Sequence, residues 1–110
     1  MESANIINEI VTRVKENFRI KSIFLFGSSV SGNLNEDSDI DLLIILDEPG
    51  IASEFMEVVK RRNNVTKLLL DIRKKVALDI LVYTKDEWDL LKKDRSSFVC
   101  EIMENGKKVA

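Results

Sequence analysis

The chain has 110 residues with net charge −2, 45% hydrophobic and 33% charged residues, which is enough apolar material for one small core and too little length for a catalytic domain plus a substrate domain. Its acidic balance gives no surplus of Lys and Arg for gripping a duplex, and no apolar run reaches membrane-spanning length. With no histidine and one cysteine, Ser-His and Cys-His nucleophile pairs, histidine-bound zinc and an intrachain disulfide are all excluded, so any chemistry must run on carboxylates.

Ile6, Ile7, Ile10, Val11, Val14 and Phe18 recur at helical spacing, which predicts an amphipathic helix over 4–18 with Ser3 or Asn5 as its cap. Lys21 to Phe26 reads as a first strand and Asp41 to Leu46 as a second. The polar, turn-rich stretch from Gly27 to Ser38 is too short for a parallel crossover, so these two strands are expected to be antiparallel neighbours. The end of the first then lies beside the start of the second.

Asp47-Glu48-Pro49-Gly50 closes the second strand as a loop at its far end, roughly 20 Å from its start. A helical stripe follows in Ile51, Phe55, Val58, Val59, Val65, Leu68, Leu69 and Ile72, as one helix or as two broken near Asn63-Asn64. The third strand is read over 76–82. Thr84-Lys85-Asp86-Glu87 forms a capping box before Trp88, Leu90 and Leu91, and a last helix runs from Ser96 or Ser97 to Asn105-Gly106. Trp88, Leu91, Phe98, Ile102 and Met103 are assigned to packing, and Cys100 to a buried small hydrophobe. Asp71, Asp86 and Asp89, and the basic groups Lys60-Arg61-Arg62 and Arg73-Lys74-Lys75, are read as solvent-facing. The whole is a single 1–110 domain of mixed α/β class: a small mixed sheet flanked by helices.

Chemistry enters where the first strand runs into Gly27-Ser28 and Asp39-Ile40-Asp41 opens the second. Strand alternation puts Asp39 and Asp41 on one face and Ile40 and Leu42 on the other. Paired carboxylates repel unless a cation sits between them, and hard oxygen ligands of this kind suit Mg²⁺. Asp79 is the only polar member of its apolar strand. An ionised carboxylate in a central strand costs several kcal/mol or more unless it is paired or metal-bound.

The strings GSSVSGNLNEDSDIDLLIIL and VALDILVYT resemble the DNA polymerase beta-like nucleotidyltransferase superfamily, and the length and element order resemble its minimal nucleotidyltransferase domains, often encoded beside a HEPN-domain partner. The resemblance covers nearly the whole chain. It implies that Gly27, Ser28 and Ser29 hold the triphosphate of ATP, and that Asp39, Asp41 and Asp79 hold two Mg²⁺ ions and carry catalysis. It implies transfer of AMP to a hydroxyl, with a tyrosine of a HEPN toxin as acceptor and this chain as the antitoxin. Related loops commonly carry an arginine soon after Gly-Ser, where Val30 and Ser31 stand here. That departure supports an alternative, a nucleotidyltransferase-fold module that neutralises its partner by forming a complex. A nucleoside triphosphate, a HEPN-domain protein and a second copy of the chain are the partners expected, in the cytoplasm, without membrane or nucleic acid.

Overall fold

In a computed structural model that describes residues 3–27 and 40–110, the elements follow the order α1 (Ser3–Asn17), β1 (Ile20–Phe26), β2 (Ile40–Leu46), α2 (Phe55–Leu68), α3 (Leu70–Arg73), β3 (Leu78–Thr84), α4 (Lys85–Asp94), α5 (Ser97–Asn105) and β4 (Lys107–Lys108). The strands form one sheet in the order β3-β2-β1-β4, with β1 antiparallel to β2 and β4 and with β2 parallel to β3. The mixed sheet and its antiparallel first pair are as the sequence predicts. The parallel pair is possible because α2 and α3 supply the long crossover that such strands require.

β2 reads Ile-Asp-Leu-Leu-Ile-Ile-Leu and is buried on both faces beyond Asp41. On one face Ile40, Leu42, Ile44 and Leu46 pack with Ile10 and Val14 of α1, Val65 of α2, Leu69 and Ile72. On the other, Leu43 and Ile45 meet Trp88 of α4 and Val99 and Ile102 of α5. A strand sandwiched in this way has no polar face to show, which explains its uninterrupted apolar run.

The helical stripe after residue 50 is two helices. Leu69 breaks the register at φ −112°, ψ 18°, while Asn63 and Asn64 lie inside α2 without interrupting it. The break turns Ile72 back toward the sheet, and Arg13 of α1 donates to Asp71 at 2.6 and 2.8 Å and to the Leu68 carbonyl at 3.2 Å. Asp71 faces solvent as expected, and from there it also takes the hydrogen bonds from Arg13 that lower its pKa to about 2. Asp86 is likewise engaged, accepting from the Gly50 amide at 2.7 Å. Cys100 is exposed, because α5 turns Val99 and Ile102 inward and Cys100 falls between them on the outer side. Trp88, Phe98 and Ile102 do pack inward, whereas Met103 is exposed.

The capping box at Thr84 is present and does more than start α4. Thr84 Oγ1 accepts from the Glu87 amide at 3.1 Å, and Glu87 Oε1 accepts from the Thr84 amide at 3.0 Å. Glu87 also takes a two-pronged ion pair from Arg61 of α2 (2.6 and 3.2 Å) and the Ala52 amide at 2.8 Å. Arg61 further donates to the outward Val82 carbonyl of β3 at 3.4 Å. One carboxylate thus joins α2, the 47–54 loop, the end of β3 and α4. The basic triplet predicts a solvent-facing Arg61, but its side chain is only 16% exposed in this pairing.

Burial pushes the Glu87 carboxyl upward, but Arg61 and the Ala52 and Thr84 amides outweigh it and leave the pKa below the ordinary 4.5. A carboxyl whose folded pKa is depressed contributes stability that is present above the unfolded pKa and lost as pH falls through the folded one. Arg61→Ala strands that carboxylate and is expected to cost about 3 kcal/mol at neutral pH, by the usual penalty for breaking a largely buried pair. Urea melts of both proteins from pH 7 down past 4.5 check this, with the gap between them closing as Glu87 takes a proton.

Candidate active site

The register of the sheet sets out the site. Phe26, the last residue of β1, pairs with Asp41, and Asp41 pairs with Asp79 of β3. Facing residues on adjacent strands point to the same side of a sheet, about 4.8 Å apart between strands, so Asp41 and Asp79 are neighbouring carboxylates. Both lie on the face that also carries Leu43, Ile45, Leu81 and Tyr83. Phe26 packs edge-on against Phe98 of α5, with ring centroids 5.5 Å apart, which fixes the end of β1 just before the Gly27 turn.

Gly27 has φ +64°, a left-handed conformation that favours glycine. A Cβ there would overlap Oδ2 of Asp41 and crowd its Cγ. Gly27 is therefore required twice, for the turn and for the close approach of backbone to the Asp41 carboxylate. The turn, Asp41 and Asp79 lie in a row from β1 through β2 to β3.

Asp79 departs from the sequence reading in one respect. β3 is the outer strand of the sheet, and the Asp79 side chain is 58% exposed. No interior desolvation has to be offset, so a buried partner is not needed. Asp79 instead faces Arg62 Nη2 of α2 at 3.6 Å, a half-exposed and weak pairing. Nothing in the basic triplet 60–62 marks Arg62 as this partner, because only the crossover brings α2 alongside β3. The adjacent Arg61 points the other way, to Glu87.

Ser28, Ser29 and Asp39, and the Val30-Ser31 pair, lie outside the described residues. Among the described residues there is no group of three His, Cys, Asp or Glu side chains arranged for a metal ion. The donor set that is described fits a hard divalent cation: two adjoining carboxylates, one of them open to solvent, beside a turn whose glycine leaves room against Asp41. Asp47 is remote from this row, at the far end of β2, where Lys85 pairs with it at 3.2 Å. No helix among the described residues is long and apolar enough to cross a membrane.

A glycine set against one carboxylate and a second carboxylate in register beside it, on a mixed sheet, suit a metal-bound phosphate group. The family model for the nucleotidyltransferase domain matches residues 7–109, and the chain belongs to that family of transferases. A Methanocaldococcus jannaschii protein named for protein adenylyltransferase activity is 34% identical over 109 residues, 97% of each chain. The protein adenylyltransferase MntA of Thermococcus cleftensis is 30% identical over 77 residues, covering 70% of this chain and 78% of that one. A solved toxin-antitoxin structure with AMP-PNP is 20% identical, covers 94% of this chain and 71% of its own, and superposes with a TM-score of 0.60. At that identity the superposition supports the fold.

Gly27→Ala is expected to destabilise the protein by roughly 1–2 kcal/mol, from the left-handed backbone alone. Its Cβ should also displace the Asp41 carboxylate. Thermal melting checks the first effect and the shift of the Asp41 amide resonance the second.

Proposed function

We propose that this nucleotidyltransferase moves AMP from ATP to a tyrosine hydroxyl of a HEPN-domain toxin, and so acts as the antitoxin. The observation that carries the reading is the in-register row of Gly27, Asp41 and Asp79. Support for the acceptor comes from the relatives, which are named protein adenylyltransferases, and from the fold neighbour solved as a toxin-antitoxin.

In this reading Gly27, Ser28 and Ser29 seat the triphosphate, with backbone amides of the turn facing its oxygens. Asp39 and Asp41 hold the nucleotide side of the site, and Asp79 holds the acceptor side. Magnesium, when bound by these carboxylates, neutralises the phosphates and makes the acceptor hydroxyl more acidic. Asp79, open to solvent on the outer strand, is placed to take the hydroxyl proton. The acceptor oxygen then bonds to the α-phosphorus, the bridging bond to the β-phosphate breaks, and pyrophosphate leaves with the electron pair. The remaining task of the chain is to hold acceptor and phosphorus in line.

Incubation with Mg²⁺ and ATP radiolabelled at the α-phosphate is expected to label the HEPN-domain partner, and Asp39→Asn/Asp41→Asn to abolish labelling. A folded partner that stays unlabelled yet is still neutralised by the double variant would establish neutralisation by complex formation instead. Ligand that binds only the folded state raises apparent stability, by about 2.7 kcal/mol at a hundred times its Kd. Mg²⁺ with ATP is therefore expected to raise the melting temperature, and Asp79→Ala to blunt that rise.

A further inference from the structure

A trough runs along the outer edge of the sheet, on the face opposite Asp41 and Asp79, since its floor residues Leu78 and Ile80 alternate with Asp79 along β3. Its first part, about 220 Å³, lies between α2, α3 and β3 and is lined by Val59, Arg62, Asn63, Thr66, Arg73, Leu78 and Ile80. Its continuation over α2 adds Lys60, Asn64, Lys67 and Leu70 and shares Asn63, Thr66 and Arg73 with the first part. Val59, Arg62, Asn63 and Thr66 fall at helical spacings of three and four residues, so one stripe of α2, half-buried at Val59 and Thr66 and exposed at Arg62 and Asn63, forms the wall. The floor is apolar, from Leu78 and Ile80.

Four cations, Lys60, Arg62, Lys67 and Arg73, line the trough, and no acidic residue is among its described lining, although the whole chain carries net charge −2. Charge is thus sorted on this molecule, and the positive trough reaches Asp79 around the β3 edge through Arg62. Arg62 belongs to both places: it lines the trough and faces Asp79 at 3.6 Å. Its pairing there is exposed and weak, so another carboxylate can compete for the guanidinium at little cost.

Position decides which reactant lies here. The Gly27 turn sits at the β1 side of Asp41, and Asp79 with the trough sits at the opposite, β3 side. A nucleotide held at the turn leaves the β3 edge for the other reactant.

We propose that this trough is the acceptor-docking site and that it takes a carboxylate-rich polypeptide segment next to the accepting hydroxyl, with Arg62 and Arg73 as the pairing guanidiniums. The proposal rests on the transferase reading above and adds the chemistry of the acceptor. Guanidinium forks match carboxylates in geometry, and Asn63 and Thr66 between them supply neutral hydrogen-bonding groups. Apolar Leu70, 51% exposed at the rim, suits a peptide with an occasional apolar side chain. A nucleic-acid acceptor fits less well, because four cations on a short trough of an acidic chain make a small electrostatic footprint.

The test uses the whole chain without nucleotide or metal, so it reads docking apart from transfer. Fluorescent peptides carrying one tyrosine flanked by glutamates or by serines are titrated and followed by anisotropy. The glutamate peptide is expected to bind at least tenfold tighter, with affinity falling as salt rises. Arg62→Ala/Arg73→Ala should erase the preference while the melting temperature stays near that of the parent, and Lys60→Ala/Lys67→Ala, at exposed positions in the continuation of the trough, should weaken it independently. Equal binding of the two peptides to the parent protein, or displacement of the glutamate peptide by an RNA oligonucleotide of equal charge, overturns the proposal. If the glutamate peptide binds but the HEPN-domain partner is never labelled, the docking site stands and the transferase reading fails.

Discussion

β2 is buried along both of its faces beyond Asp41, and this burial decides what can lie on either side of it. Each face of the strand needs its own helical layer, which α1, α2 and α3 provide on one side and α4 and α5 on the other. Each edge needs a paired strand, and the two pairings differ in direction. Because β1 returns antiparallel and β3 arrives parallel, the end of β1 and the starts of β2 and β3 meet at one end of the strands. The glycine turn and the two carboxylates come together for that reason. A slip of one residue in the β2–β3 pairing would put Asp41 and Asp79 on opposite faces.

The opposite end of the strands carries the mechanical ties. Glu87 gathers Arg61, Thr84 and Ala52 where β3 ends, and Asp47 takes Lys85 close by. These contacts are built from charged groups that reactive chemistry also uses, yet they bind the protein to itself. The division is physically sensible. A site that exchanges ligands needs solvent-open carboxylates such as Asp79, whereas a carboxylate held by a guanidinium fork and two amides, such as Glu87, has no capacity left for a substrate.

Much of the fold was legible in the chain. The period of α1, the alternation around Asp41 and the capping box at Thr84 are local signals, and each element follows from a few neighbouring residues. The last helix is N-capped by Ser96, whose hydroxyl accepts from the Val99 amide, and it ends before Gly106 as predicted. What was not legible depends on distant partners. Lys107-Lys108 has nothing in its sequence that marks a strand; it pairs because β1 offers an open edge to Leu25 and Phe24. Cys100 has apolar neighbours but an outward position, since Phe98, Val99 and Ile102 already fill the inner side of α5. The break at Leu69, rather than at Asn63-Asn64, serves the packing of Ile72 and the reach of Arg13 to Asp71.

By itself the sequence determined the glycine turn, the alternating aspartates, the solitary Asp79 in an apolar strand and the family that these resemble, because each is a matter of residue type and short spacing. Tertiary structure alone decided that β3 is the outer strand, that Asp79 is open to solvent, and that Arg62 stands beside it while Arg61 turns to Glu87. The reason is the crossover: α2 and α3 must carry the chain back to lay β3 parallel to β2, and only that path sets a face of α2 along the outer edge. Two adjacent arginines thereby acquire different partners, which no local pattern in the chain distinguishes.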